Sequence, residues 1–107
     1  MEEALDLNTY LVKHKAATFL FRVQGQSMRG VGIMEDDKVV VDRSINAQHG
    51  HIVVAVVNGE YTIKRLHHWR GCIELRAENP AFKPICFSEE SLLEVWGVVV
   101  GVIRRYS

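Results

Sequence analysis

Ile52-Val53-Val54-Ala55-Val56-Val57-Asn58-Gly59-Glu60-Tyr61-Thr62-Ile63-Lys64-Arg65-Leu66 reads as two strands folded around a two-residue turn. The first arm is β-branched throughout apart from Ala55, a composition that suits a pleated, buried surface. Asn58-Gly59 is the strongest short-range hairpin signal, because a type I′ turn needs positive φ at both central positions. Alternation in the return arm places Thr62, Lys64 and Leu66 on one face and Tyr61, Ile63 and Arg65 on the other. A lysine on a partly apolar face is desolvated, and desolvation disfavours its charged form.

Outward from this hairpin the same pattern repeats. Phe19–Val23 is a short aromatic and β-branched run that ends at Gly25. Lys38–Asp42 lies between the acidic turn Glu35-Asp36-Asp37 and Arg43-Ser44. Cys72–Arg76 follows a turn at Arg70-Gly71, and Asn79-Pro80 breaks it. After a polar stretch, Glu94–Arg105 gives a long Val-rich strand. Met1 to about Lys15 is the one helix candidate, with Leu5, Leu7, Leu11 and Val12 as a loose stripe and Asp6 or Asn8 as cap. The fold class that follows is mostly β: one compact domain built on a bent or rolled antiparallel or mixed sheet, with a short N-terminal helix. Residues 1–17 form the helical arm and 18–107 the β-domain of a single unit spanning 1–107.

The chain has 107 residues and is 48% hydrophobic and 24% charged, which allows one modest core and excludes disorder. Thirteen basic residues balance thirteen acidic ones, so no strong overall positive field is available to draw in nucleic acid. Zero net charge gives little protection against self-association and leaves a dimer open. Cys72 and Cys86 lie 14 positions apart with no CxxC spacing, which reads as two reduced thiols of a cytosolic protein. Glu2, Glu3 and Asp6 stand where a signal peptide would be basic, and the apolar run 95–103 is too short for a membrane helix. The expectation is a soluble, cytoplasmic protein.

Two residues stand out chemically. Ser27, in Gly25-Gln26-Ser27-Met28, sits at a strand end ahead of the glycine-rich turn Arg29-Gly30-Val31-Gly32-Ile33. Backbone amides in such a turn can face a developing oxyanion, and a turn-forming serine is the plainer alternative. Lys64, desolvated and neutral, can take a proton from a serine hydroxyl, and a Ser–Lys dyad needs no histidine or carboxylate. Periodicity alone also allows a solvent-facing strand lysine. His49 and His51 are expected to alternate on one strand face, and His67-His68 to lie in a loop. No carboxylate or cysteine falls at supporting spacing, so no metal or other cofactor is expected. Arg65, His67, His68, Trp69 and Arg70 read as an exposed hairpin end rather than a nucleic-acid site, and Trp96 with Val98–Val100 as core and dimer surface.

Taken together, Gly25-x-Ser27-Met28, Asp37-x-Val39-Val40-Val41-Asp42, His49-Gly50-x-Ile52-Val53-Val54-Ala55, Gly59 to Leu66, Glu74-Leu75, Glu78-Asn79-Pro80 and Trp96-Gly97-Val98-Val99 resemble the LexA/UmuD family of self-cleaving serine peptidases. The resemblance runs in order from about Leu7 to Arg105. It implies that Ser27 is the nucleophile and Lys64 its general base, with the backbone amides of Ser27 and Met28 holding the oxyanion. Within the family, Leu5-Asp6-Leu7-Asn8, Leu11, His14 and Ala17-Thr18 are similar to the UmuD branch. Only 26 residues precede Ser27, too few for a helix-turn-helix domain, and no Ala-Gly or Cys-Gly dipeptide of the family's cleavage site lies among them. The likeness is therefore to the processed, UmuD′-like form. It implies a homodimer that partners a UmuC-type error-prone polymerase in damage-induced translesion synthesis, without sequence-specific DNA binding or a membrane. Full-length relatives use a RecA–single-stranded-DNA filament as co-activator of self-cleavage. The alternative is the self-cleavage and dimerisation domain of a LexA-like or phage repressor; a signal-peptidase relative is disfavoured for want of a membrane anchor. Two departures stand in the pattern: His51 where the family has Asp, and Asp36-Asp37 where it has Gly-Asp. Both predict altered turn geometry rather than altered chemistry.

Overall fold

In the computed structural model, which describes residues 2–107 and only the backbone of Ser91, seven strands form one sheet in the order β1-β2-β7-β3-β4-β5-β6. The strands are β1 (Thr18–Arg22), β2 (Lys38–Asp42), β3 (Ile52–Val57), β4 (Glu60–Trp69), β5 (Cys72–Arg76), β6 (Ile85–Phe87) and β7 (Glu94–Ile103). Every pairing is antiparallel. The expected mostly-β class is therefore what the chain adopts. β3 and β4 form the expected hairpin, with Val53 opposite Lys64, and Asn58 and Gly59 take φ 51° and 80° as a type I′ turn requires. Arg70 and Gly71 repeat that arrangement between β4 and β5.

β7 lies between β2 and β3 and bulges against each. Its register skips one residue opposite Val40–Val41 and another opposite Val54–Ala55. An extra residue on one strand bends it and tightens the local twist. Val54 and its neighbours Val53 and Ala55 project to opposite sides, and so serve two cores. Val23, Met28, Ile33, Val39, Val41 and Val54 make one; Val53, Ala55, Leu66, Leu75 and Val98 make the other. Trp96 is half-buried and packs against the first, edge-on to Phe19 and Phe21, with the Arg43 guanidinium 4.2 Å above its ring. No helix of the described residues is long and apolar enough to cross a membrane.

Several boundaries differ from expectation. The helix expected over 1–15 is a single α-helical turn, α1 (Leu7–Leu11), followed by a 3-10 turn at Lys15–Ala17; Met1 lies outside the described residues. Asp6 starts it, accepting from the Asn8 N–H at 3.1 Å and the Thr9 hydroxyl at 2.9 Å. No residue of α1 is buried, and a helix this short gains its stability from tertiary burial or not at all. β4 runs on to Trp69, so His67 and His68 are strand residues facing Glu74 and Ile73 of β5, not loop residues. His49 and His51 lie in the turn before β3 rather than on a strand, because Gly50 takes φ 92° and redirects the chain. β6 falls within the stretch expected to be polar loop.

Candidate active site

The loop between β1 and β2 carries Ser27, and its shape is set by backbone requirements. Gly25 takes φ 83°, leaving β1 by a conformation that side chains disfavour. Met28 then drops into the first core at 2% exposure and anchors the segment, while its carbonyl accepts from the Val31 and Ile33 N–H groups. Ser27 is half-buried at the mouth of a cleft of about 380 Å³ that Phe21, Gly25, Tyr61, Lys64 and Phe82 also line.

Lys64 enters that cleft from β4. It is 8% exposed, and its Nζ lies 3.2 Å from Ser27 Oγ, 2.6 Å from Thr62 Oγ1 and 3.2 Å from the Ile63 carbonyl. The bond to Thr62 follows from the shared strand face. All three acceptors are neutral, and no ion pair among the described residues involves Lys64. Burial without a counter-charge pushes the amine below its ordinary pKa. A neutral amine in hydrogen-bond contact with a serine hydroxyl is a competent proton acceptor. The structure thus brings together the two residues, 37 positions apart in sequence, that were singled out as nucleophile and base.

The backbone around Ser27 is also open. The N–H groups of Gln26, Ser27 and Met28 have no acceptor among the described residues, whereas those from Arg29 to Ile33 do. Unengaged amides beside a candidate nucleophile can receive an oxyanion. Ser27 and Met28 were expected in that role; Gln26 was not, because the state of one amide depends on loop geometry that no spacing discloses.

The loop is braced from two directions. Asp37 accepts from Arg104 at both oxygens, each at 2.7 Å, and from the Met34 N–H at 2.8 Å, while Arg104 also donates to the Gly32 carbonyl at 2.8 Å. The hydrogen bonds from Arg104 hold the Asp37 carboxyl down to about 2. Across the cleft, Glu78 accepts from Arg65 at 2.6 Å and offers its carbonyl to the Gly30 N–H at 2.7 Å. A Cβ on Gly30 would stand 2.4 Å from that carbonyl oxygen, so only glycine fits.

The matching family model is described as Peptidase S24-like and covers residues 1–100. This chain belongs to that family. S24-like relatives include a LexA repressor of Syntrophotalea carbinolica, 47% identical over 88 residues, which make up 82% of this chain and 44% of that protein. Protein ImpA of Salmonella typhimurium is 40% identical over 110 residues, covering 97% of this chain and 70% of its own length. Protein SamA of the same species is 41% identical over 104 residues, 97% of this chain and 71% of that protein. The chain therefore spans less than half of the LexA repressor and about 70% of ImpA. Membership places it among the LexA/UmuD self-cleaving peptidases that its motifs resembled.

The histidines and cysteines are arranged differently from expectation. His67 faces Glu74 across β4 and β5, and Glu74 faces Cys86 across β5 and β6. Both thiols reach Glu74 Oε1, Cys72 at 3.8 Å and Cys86 at 3.7 Å. Sequence spacing did not foresee that convergence, since it depends on the pairing of β6. No group of three ligands with metal-holding geometry occurs among the described residues.

Proposed function

We propose that the chain is a UmuD′-like S24 peptidase domain whose dyad is Ser27 and Lys64, residues 1–17 forming its arm and 18–107 its catalytic domain. The observation that carries this reading is the 3.2 Å contact between Ser27 Oγ and a lysine buried without counter-charge. Neutral Lys64 accepts the Ser27 proton as Oγ attacks a peptide carbonyl. Amides of the Ser27–Met28 segment take the negative charge of the tetrahedral intermediate. The protonated Lys64 then donates to the leaving amine, the acyl-enzyme forms, and a water activated by the same amine hydrolyses it. The chemistry draws on no metal or other cofactor.

In the cell this reading makes the protein a cytoplasmic homodimer and accessory subunit of a UmuC-type error-prone polymerase, with the RecA–single-stranded-DNA filament promoting self-cleavage of the full-length form. Similarity to ImpA and SamA across 97% of the chain, the N-terminal arm included, supports it. The second reading, the self-cleavage and dimerisation domain of a LexA-like repressor, is favoured by the 47% identity to a LexA repressor. Co-purification with a UmuC-type polymerase from the native host supports the first, and its failure the second.

The chemistry is tested in trans, on a full-length UmuD-type protein whose own catalytic serine is alanine. Wild type is expected to cleave it, with a rate that climbs as pH rises through the lowered pKa of Lys64 and then levels. Ser27→Ala and Lys64→Ala should each abolish cleavage, a loss of about a thousandfold or more. Cleavage surviving either substitution in a folded protein overturns the dyad.

A further inference from the structure

Asn79 lies 53 positions from Gln26 in sequence, yet its side chain fixes the backbone next to Ser27. Its Nδ2 donates to the Gln26 carbonyl at 2.9 Å, while its Oδ1 accepts from the Ala81 N–H at 3.0 Å. The second bond orients the amide so that its NH₂ end faces Gln26. The turn carrying Asn79 is itself held: Arg65 grips Glu78 and the Gly50 carbonyl at 2.6 Å each, and the Glu78 carbonyl receives the Gly30 N–H. Adjacent residues, Glu78 and Asn79, therefore clasp the nucleophile loop on both sides of Ser27.

The Gln26 carbonyl belongs to the same rigid peptide plane as the Ser27 N–H. In a trans peptide the two groups point in opposite directions, so fixing one fixes the other. The Arg29 N–H also reaches this carbonyl, at 3.2 Å, a longer bond within the loop itself that cannot tie the plane to the rest of the molecule. Asn79 is the tie. Oxyanion donors act through preorganisation, and a donor free to tilt stabilises the transition state less.

We propose that Asn79 is a positioning residue of the peptidase site: by holding the Gln26 carbonyl it aims the Ser27 N–H as oxyanion donor. This inference rests on the peptidase reading above. It calls for the trans-cleavage assay run with wild type, Asn79→Ala and the isosteric Asn79→Asp, whose carboxylate packs like the amide but cannot donate. A tilted donor affects the transition state and leaves substrate binding and Lys64 alone. kcat is therefore expected to fall about tenfold in Asn79→Ala and further in Asn79→Asp, which sets a negative charge against a carbonyl oxygen. KM should stay within twofold, and the pH at which the rate levels should not move. Unchanged kcat in Asn79→Asp overturns the inference, as does a loss that arises through KM or through a displaced pH profile. If wild type is as inert as Ser27→Ala, the peptidase reading itself fails and this inference falls with it; a cleaving wild type beside an equally fast Asn79→Asp removes the inference alone.

Discussion

Asp37 and Lys64 are both buried charged residues beside the same loop, and the protein treats them in opposite ways. Asp37 is 2% exposed, clamped by Nε and Nη2 of the Arg104 guanidinium and by a backbone N–H. Lys64 is 8% exposed and meets only two hydroxyls and a carbonyl. The first arrangement stabilises the charged form and the second penalises it, so the carboxyl falls to about 2 while the amine falls below its ordinary pKa. A compensated charge is an anchor. An uncompensated one is held at some cost in stability, with its charged form disfavoured.

That contrast can be broken at either end. The largest effect is expected from Asp37→Asn, which loses the charge-assisted fork to Arg104 and should lower unfolding free energy by about 2 kcal/mol in urea titrations. Because the folded-state pKa of Asp37 lies below its ordinary 3.8, the stabilisation is complete above that value and is lost as pH falls towards about 2. Wild type should therefore lose more stability over that interval than Asp37→Asn, and equal losses would show that the clamp is not the anchor described here.

Lys64→Met should move stability the other way. An apolar side chain of similar length removes an amine that the site does not compensate, and a gain of about 1 kcal/mol at neutral pH is expected, with cleavage lost. The sign follows from linkage: the folded chain releases a proton that the unfolded chain keeps, so wild-type stability rises with pH between the lowered and the ordinary pKa of lysine. In Lys64→Met that rise should be flattened. A destabilised Lys64→Met would mean that the three hydrogen bonds outweigh the burial.

The smallest effect is expected at the turn that delivers Asp37. Asp36 takes φ 71°, a left-handed conformation that glycine adopts without steric cost. Asp36→Gly relieves a left-handed non-glycine residue, partly offset by the freer unfolded chain, and about 0.5 kcal/mol of stabilisation is expected by thermal melting. The backbone bond from Asp36 N–H to the Val23 carbonyl, 2.9 Å, is retained, so cleavage should not change.

The parts of the molecule that were legible in the sequence are those with a local cause. Asn58-Gly59 announces its turn by conformational preference, and the β-branched arms announce their strands. Lys64 could be placed on a face with Thr62 by alternation alone, but its contact with Ser27 rests on long-range packing, which only the motif resemblance anticipated. The helix is shorter than its loose apolar stripe suggests because none of its residues is buried. β6 carries no local signal because Ile85–Phe87 is three residues long, follows Pro84, and owes its strand geometry to β5. The contacts of Asn79 and Arg104 with the Ser27 loop are hidden for the same reason: each acts more than fifty positions away.

The place of β7 has a consequence for the order of events during synthesis. β1, β2 and the Ser27 loop belong to one part of the sheet, and β3 to β6, with Lys64, belong to another. Among the described residues, strand pairing joins the two parts only through β7. A ribosome must deliver residues 94–103 before the seam can close, so Ser27 and Lys64 stay on sub-sheets that no strand pairing joins until β7 has been made. Such late closure makes folding slow, as for any topology dominated by distant pairings. On the peptidase reading proposed above, it also withholds reactivity from an unfinished polypeptide by delaying the meeting of Ser27 and Lys64 until β7 is in place.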